Sequence, residues 1–225
     1  MTHAGLPFTG VLFDMDGTLV DTEPMWQRAE QAIMAEYGVV WTHADQAHCL
    51  GGSSGRVTRY MSDLVAATGQ PAPPPQSLAA RFSELMLANL RDDPPGPQPG
   101  VAELLQQVRD HDLPTALVTS STGDMMTLVL DAIGHHWFDV TVHAGDVERH
   151  KPDPLPYQRA SELLGVDPHT CVAIEDSPTG STSANAAGAF VVVIEHMAEI
   201  RPAPRRVVVA GLEGVDVAWL AQQYY

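Results

Sequence analysis

Basic residues are scarce in this chain. Twelve Lys and Arg stand against 28 Asp and Glu, for a formal net charge of −16. A broad nucleic-acid or anionic-membrane surface is excluded on that balance. A small anionic substrate remains compatible, provided that its site supplies local positive charge from a bound metal or a placed lysine. Cysteine is scarce too. Cys49 and Cys171 lie far apart without metal-type spacing, so they read as two buried thiols in a reducing compartment. No stretch approaches the roughly 20 apolar residues of a membrane span. The opening "MTHAGLPFTG" lacks a basic segment followed by an apolar one. A cytoplasmic protein with neither nucleic-acid nor membrane partner is expected. Its oligomeric state is not written in the sequence, and nothing there requires more than a monomer.

What the chain has is proline in clusters and short apolar runs. "PAPPP" (Pro71–Pro75) separates two helical patterns. "DDPPGPQPG" (Asp92–Gly100) reads as a stiff linker, because proline lacks the helix donor and clashes with the preceding turn. Between Asp21 and this linker the periodicity is helical. Trp26, Ala29, Ile33 and Tyr37 share one predicted face. Val57, Met61, Leu64 and Val65 share a second, and Leu78, Phe82, Leu85 and Leu90 a third. After the linker, apolar runs ("TALV", "FDVTV", "TCVAI", "FVVVI") alternate with helical segments. That alternation predicts βαβ units around a buried parallel sheet. The early run "GVLFD" belongs to the same sheet. The expected fold is α/β, a Rossmann-like parallel-sheet core (residues 1–20 and 96–225) with an inserted small all-helical domain (residues 21–95).

In open α/β sheets, ligands bind outside the carboxyl ends of the strands. Polar groups gather at such ends here. Asp14 and Asp16 follow "GVLF"; Thr119, Ser120 and Ser121 follow "TALV"; Glu175 and Asp176 close and follow "TCVAI". Lys151 comes shortly after "FDVTVHAG". An aspartate at a strand end is often only a turn former or helix cap, so the convergence of separate segments is what carries the reading. Asp14 suits a nucleophile that forms an acyl phosphate. Asp14, Asp176 and Glu175 suit a hard cation such as Mg2+. Lys151 supplies a point charge and Thr119 a donor to phosphoryl oxygens, while Asp16 suits proton transfer to the leaving oxygen and from water.

The motifs "DMDGTLVD" (Asp14–Asp21), "VTSS" (Val118–Ser121), "KPDP" (Lys151–Pro154) and "IEDSPTG" (Ile174–Gly180), in that order, resemble those of the haloacid dehalogenase-like hydrolases. The inserted helices resemble the cap of the subfamily that contains β-phosphoglucomutase and sugar-phosphate phosphatases. The resemblance implies a Mg2+-dependent phosphatase acting on a small phosphorylated metabolite. It makes Asp14 the nucleophile and a metal ligand. Asp16 becomes the acid/base, with its backbone carbonyl on the metal. Thr119, Ser120 and Ser121 would hold the phosphoryl group, Lys151 would be the lysine of the third motif, and Asp176 and Glu175 would bind metal. Gly180, Ala184 and Gly188 would be close-packing positions. Gly51, Gly52, Ser53 and Arg56 are candidate specificity-loop residues, with Gly52 and Arg56 assigned to substrate binding. Asp21 reads as a hinge. His135, His136, His143 and His150 show no ligand spacing.

Two departures distinguish the chain from the mutase pattern. Trp26 stands where mutase-like proteins carry a histidine, and Arg56 is one position off the mutase-type loop arginine. A phosphosugar mutase is therefore the first alternative. A non-enzymatic phospho-acceptor or binding protein is the alternative of another class.

Overall fold

The computed structural model describes residues 5–49, 54–195 and 200–224. In chain order the elements are β1 (Gly10–Phe13), α1 (Glu23–Glu36), α2 (His43–Cys49), α3 (Ser54–Ala67), α4 (Pro75–Asp92), α5 (Val101–Asp110) and β2 (Thr115–Val118). There follow α6 (Gly123–Ile133), β3 (Val140–Val142), α7 (Leu155–Leu164), β4 (Cys171–Glu175), α8 (Pro178–Ala187), β5 (Phe190–Ile194), β6 (Arg206–Val209) and α9 (Val217–Gln223). The chain divides into two compact units. One runs to Asp21 and resumes at Pro95; the other is Thr22–Pro94.

The first unit is the α/β core. Its strands lie in the order β3-β2-β1-β4-β5-β6, and every pairing is parallel. β1 sits centrally, with Val11 opposite Thr115 on one side and Val172 on the other. Every residue of β1, β2, β4 and β5 is buried. This explains why these strands read as unbroken apolar runs rather than alternating ones. Burial of Val11, Leu12 and Phe13 stabilises the central strand by about 1.5–3 kcal/mol per side chain. The two edges are less buried: β3 closes one, and β6, with exposed Val208, closes the other.

The chain order reverses at β1, with β2 on one side and β4 on the other. That is the topological switch point where such sheets bind ligands. Beyond β1, Gly17 adopts φ +81° and its N–H bonds Val20 O at 2.8 Å. A Cβ on Gly17 would overlap the Asp176 carboxylate, so glycine is required there for space as well as for φ. The end of the proline-rich linker is pinned to the same turn. Gln98 Nε2 donates to Gly17 O (2.5 Å), and Gln98 N donates to Leu19 O (2.8 Å).

The second unit is all-helical, with α4 packed on both α1 and α3. Pro75 and Pro24 sit in the first turns of α4 and α1, where a missing N–H costs no intrahelical bond. The buried faces differ in detail from those expected. α1 buries Met25, Ala29, Glu30, Ile33 and Met34. Trp26 and Tyr37 are only half-buried. Trp26 keeps its indole N–H satisfied by Thr22 Oγ1 (3.2 Å) and stacks on Phe82 at 5.0 Å. On α4 the buried line is Leu78, Phe82, Met86 and Leu90, so Met86 takes the place expected of Leu85. On α3, Val57, Met61 and Val65 are buried while Leu64 is partly exposed. Flexible methionines fill these seams more readily than the branched or ring side chains beside them.

Helix α2 was not among the expected elements, yet its start is signalled. Thr42 N and Oγ1 both donate to Asp45 Oδ2, at 2.8 and 2.5 Å, and Asp45 N donates to Thr42 Oγ1 at 3.3 Å. That is the reciprocal capping box, with Asp in place of the usual Glu. Cys49 and Cys171 are free and buried, as anticipated. Among the described residues, no helix is long and apolar enough to cross a membrane.

Candidate active site

The site forms at the carboxyl ends of β1, β2 and β4. Asp14 directly follows β1, its N–H donating to Ile174 O of β4 (3.0 Å), so its backbone is held by the sheet. Its side chain is buried and accepts from Lys151 Nζ at 2.5 Å. Lys151 also donates to Glu175 Oε1 (2.7 Å) and to Val118 O at the end of β2 (2.9 Å). The three protons of its ammonium thereby reach three strand ends. With side-chain exposures of 5%, 9% and 0% for Lys151, Asp14 and Glu175, this is a buried ion triad rather than a surface bridge.

Glu175 accepts more than the lysine. Tyr157 Oη donates to the same Oε1 at 2.7 Å. Its other oxygen, Oε2, accepts from Ser177 Oγ (3.1 Å), Asp176 N (3.2 Å) and Ser177 N (3.3 Å). Ser177 Oγ also accepts from Gly180 N at 3.0 Å, capping α8. A Cβ on Gly180 would overlap the Glu175 carboxylate. Gly188, at φ +103°, lies against the ring of His169, and Ala184 is fully buried. The three close-packing positions are therefore tight in the structure.

Asp16 stands apart from this triad. Its Oδ2 accepts from Ser121 Oγ at 2.7 Å and from Thr119 Oγ1 at 3.3 Å, and Ser121 N donates to Thr119 Oγ1 at 2.9 Å. Thr119 and Ser121 are buried, whereas Ser120 is exposed. Ser121, expected to hold substrate, spends its hydroxyl on orienting Asp16. Arg56 belongs to the helical unit, where its guanidinium donates to Cys49 O at 3.2 Å. Gly51, Gly52 and Ser53 lie outside the described residues.

The electrostatics follow from burial and crowding. Asp14 is pushed up to about 7, first by burial and then by the Glu175 charge, against the lowering influence of Lys151. Asp176 is pushed up to about 9 by burial and by the charges of Asp14 and Glu175. For Lys151, burial works against the charged form, but Asp14 and Glu175 outweigh it and hold the ammonium protonated above its ordinary range. Burial, followed by the Glu175 charge, lifts the Tyr157 hydroxyl well above its usual value, so it is a donor throughout the physiological range. Asp14, Glu175 and Asp176 each present an oxygen within 4.8 Å of the others.

Comparison with known proteins agrees with this architecture. The model of the haloacid dehalogenase-like hydrolase family matches residues 11–194. The chain belongs to that family. Fructose-1-phosphate phosphatase YqaB of Escherichia coli (strain K12) is 31% identical over 183 residues, covering 80% of this chain and 93% of that protein. Hexitol phosphatase B of the same organism is 33% identical over 186 residues, covering 81% and 82%. The crystal structure of CbbY from Rhodobacter sphaeroides in complex with phosphate superposes with a TM-score of 0.78 at 26% identity, covering 95% of this chain and 99% of that one. The family member described here is an enzyme, a hydrolase of phosphoric monoesters.

The four motifs thus occupy one sheet rim. Tyr157 and Ser177 were missed as site residues. Tyr157 lies in a segment that reads in the sequence only as helical, and nothing local links it to a residue 18 positions away. Ser177 had a signal, because a serine followed by proline is a strong helix N-cap.

Proposed function

We propose that this chain is a Mg2+-dependent phosphatase of small phosphate monoesters, sugar phosphates or hexitol phosphates among them, working through an aspartyl phosphate on Asp14. The observation that carries the reading is the pairing of roles across two residues. Asp14 lies buried on Lys151, while Asp16, with its own donors Ser121 and Thr119, is held separately.

The residues fit a hard divalent cation. The donors are all oxygen, they are clustered, and burial and mutual repulsion push the protons of Asp14 and Asp176 far above the usual carboxylate range. Glu175 has its lone pairs occupied by five donors, which favours Asp14 and Asp176, with the Asp16 carbonyl, as the direct ligands. Bound Mg2+ would supply charge neutralisation and polarise the phosphoryl oxygens.

The chain's own residues then divide the work. Asp14 attacks phosphorus, and the P–O bond to the alcohol breaks as Asp16 delivers a proton to the leaving oxygen. Asp16, now a carboxylate, takes a proton from water, which attacks the aspartyl phosphate at phosphorus and frees Asp14. Ser121 and Thr119 hold Asp16 Oδ2, which orients the carboxyl that exchanges the proton. Lys151 holds the attacking carboxylate in place. The backbone at Ser120 is suited to donate to the transferring group, and Thr119 Oγ1 can do so only by giving up its 3.3 Å contact with Asp16 Oδ2.

Asp14→Asn tests the reading. Phosphate release from a panel of sugar and hexitol phosphates with Mg2+ should fall to background, and turnover near wild type would overturn the nucleophile assignment. The mutase alternative draws no support from the helical unit. At the place of the mutase histidine, Trp26 is stacked on Phe82 and bonded to Thr22. Free phosphate, rather than an isomerised sugar phosphate, is the expected product.

A further inference from the structure

Glu175 is fully buried, and its carboxylate is closed in on every side that the structure describes. A carboxylate offers about four lone-pair sites. Here Lys151 and Tyr157 share Oε1, each at 2.7 Å, and Oε2 takes Ser177 Oγ and two backbone N–H groups. Gly180 abuts the same group, leaving no room even for a methyl. Tyr157 itself is fully buried, and Lys151 Nζ lies 5.1 Å from its ring centroid. One side chain therefore touches both halves of the Lys151–Glu175 pair, through its hydroxyl on the anion and its ring under the cation. The chemistry proposed above does not use it. Packing alone does not account for it either. A phenylalanine would fill nearly the same volume without a hydroxyl to desolvate, so the Oη–H has no return except this bond.

We propose that Tyr157 is a positioning residue of this active site, fixing Glu175 so that Lys151 is held on Asp14. The inference rests on the phosphatase reading. Lys151 divides its three protons among Asp14, Glu175 and Val118 O. Without the Tyr157 hydroxyl, Oε1 of Glu175 is left with an unfilled lone pair in a fully buried site, and the lysine is a mobile donor beside it. The ammonium then shifts toward Glu175, loosening its hold on Asp14. Alignment of the attacking oxygen governs the chemical step, where displacements of about 1 Å cost on the order of a hundredfold. The loss belongs to kcat and leaves KM nearly unchanged, because Tyr157 is buried beneath the pair.

The test is a double-mutant cycle on steady-state phosphate release, with Tyr157→Phe, Glu175→Gln, the double variant and Asp14→Asn. Tyr157→Phe is expected to lower kcat about tenfold with KM within twofold of wild type. In the Glu175→Gln background the same change should alter kcat by less than twofold, since the route through the carboxylate is already damaged. A merely structural tyrosine would give the same fold-loss in both backgrounds, and that result overturns the inference. So does a Tyr157→Phe kcat within twofold of wild type while Asp14→Asn is inactive. An active Asp14→Asn enzyme instead overturns the phosphatase reading on which the inference stands.

Discussion

Lys151→Met is the perturbation whose outcome is best constrained by the geometry. Methionine keeps most of the buried stem but removes the ammonium that contacts Asp14 at 2.5 Å, Glu175 at 2.7 Å and Val118 O at 2.9 Å. Glu175 is left fully buried without its cation, and Asp14 nearly so. Breaking one side of a buried ion pair costs about 3–5 kcal/mol, because the remaining charge is stranded. For a chain of this size that corresponds to a fall in Tm of roughly 6–20 °C. The pH dependence has a definite sign. The folded-state pKa of Asp14 is already raised to about 7, and Lys151 is an influence that lowers it. Removing the lysine raises it further. A carboxyl whose folded pKa exceeds its unfolded value costs nothing below about pH 4, where both states are protonated. Stability is then lost as pH rises toward the folded pKa, because the unfolded chain ionises first. The variant should therefore lose more at pH 8 than at pH 5, by up to about 1.4 kcal/mol, because a folded pKa raised from about 7 past 8 adds no further cost at pH 8. Urea denaturation in EDTA at both pH values measures this without a metal taking the place of the ammonium. A loss under about 1 kcal/mol at pH 8, or a larger loss at pH 5 than at pH 8, would refute the buried-triad account.

On the proposed reading, protons and Mg2+ compete for the Asp14 and Asp176 oxygens. Since these carboxyls sit at about 7 and about 9, the apparent Mg2+ affinity should rise between pH 6 and pH 8, by up to about tenfold per unit for each proton displaced. Isothermal titration at the two pH values checks it, and a flat profile contradicts it. Gly180→Ala should destabilise the protein by about 1–3 kcal/mol despite the better helix propensity of alanine. Its methyl would meet a carboxylate that five donors hold still, and a neutral or stabilising result in urea denaturation would show that Glu175 moves freely. Glu30→Gln should stabilise the helical unit at pH 8 by about 1–2 kcal/mol and remove part of the decline in stability between pH 4.5 and 7. Glu30 is raised to about 7, chiefly by burial, and its Oε2 has no hydrogen-bond partner among the described residues. Equal pH slopes in wild type and variant would count against a buried acid there.

The sheet was legible because a doubly covered parallel strand must be apolar along its whole length, as "TCVAI" and "FVVVI" are. The four motif segments were legible because each polar group falls where such a run stops. The helical faces were less so. Period alone does not decide whether Met25 or Trp26 goes inward; Met25 is buried, while Trp26 stays half-buried with its indole N–H on Thr22 Oγ1. Glu30 was invisible for the opposite reason, since a carboxylate in the middle of an amphipathic helix is ordinarily solvated. The support of the site was the least legible part. Ser121 to Asp16 spans 105 residues and Lys151 to Asp14 spans 137. Which lone pair each donor fills depends on how the strands pair, and the register Phe13–Leu117 and Phe13–Ile174 is set by the whole sheet.

That support also gives the proposed mechanism a way for so acidic a chain to accommodate a phosphate ester. Asp14 and Glu175 both pair with one ammonium, and all three of its protons are engaged by Asp14, Glu175 and Val118 O. Lys151 cannot reach a phosphoryl oxygen without releasing one of them. Glu175 is held by Tyr157 and by the cap of α8, and Val118 O is fixed at the end of β2. The contact most readily exchanged is the one to Asp14. In the proposed mechanism, as Asp14 bonds to phosphorus it loses its charge, and the Lys151 N–H that it accepted becomes available to the transferred group at the moment that group needs a donor. The lysine would then be a cation handed from nucleophile to phosphate by the reaction itself. For this reason its attachment to Glu175, rather than its charge alone, should decide how fast the reaction runs.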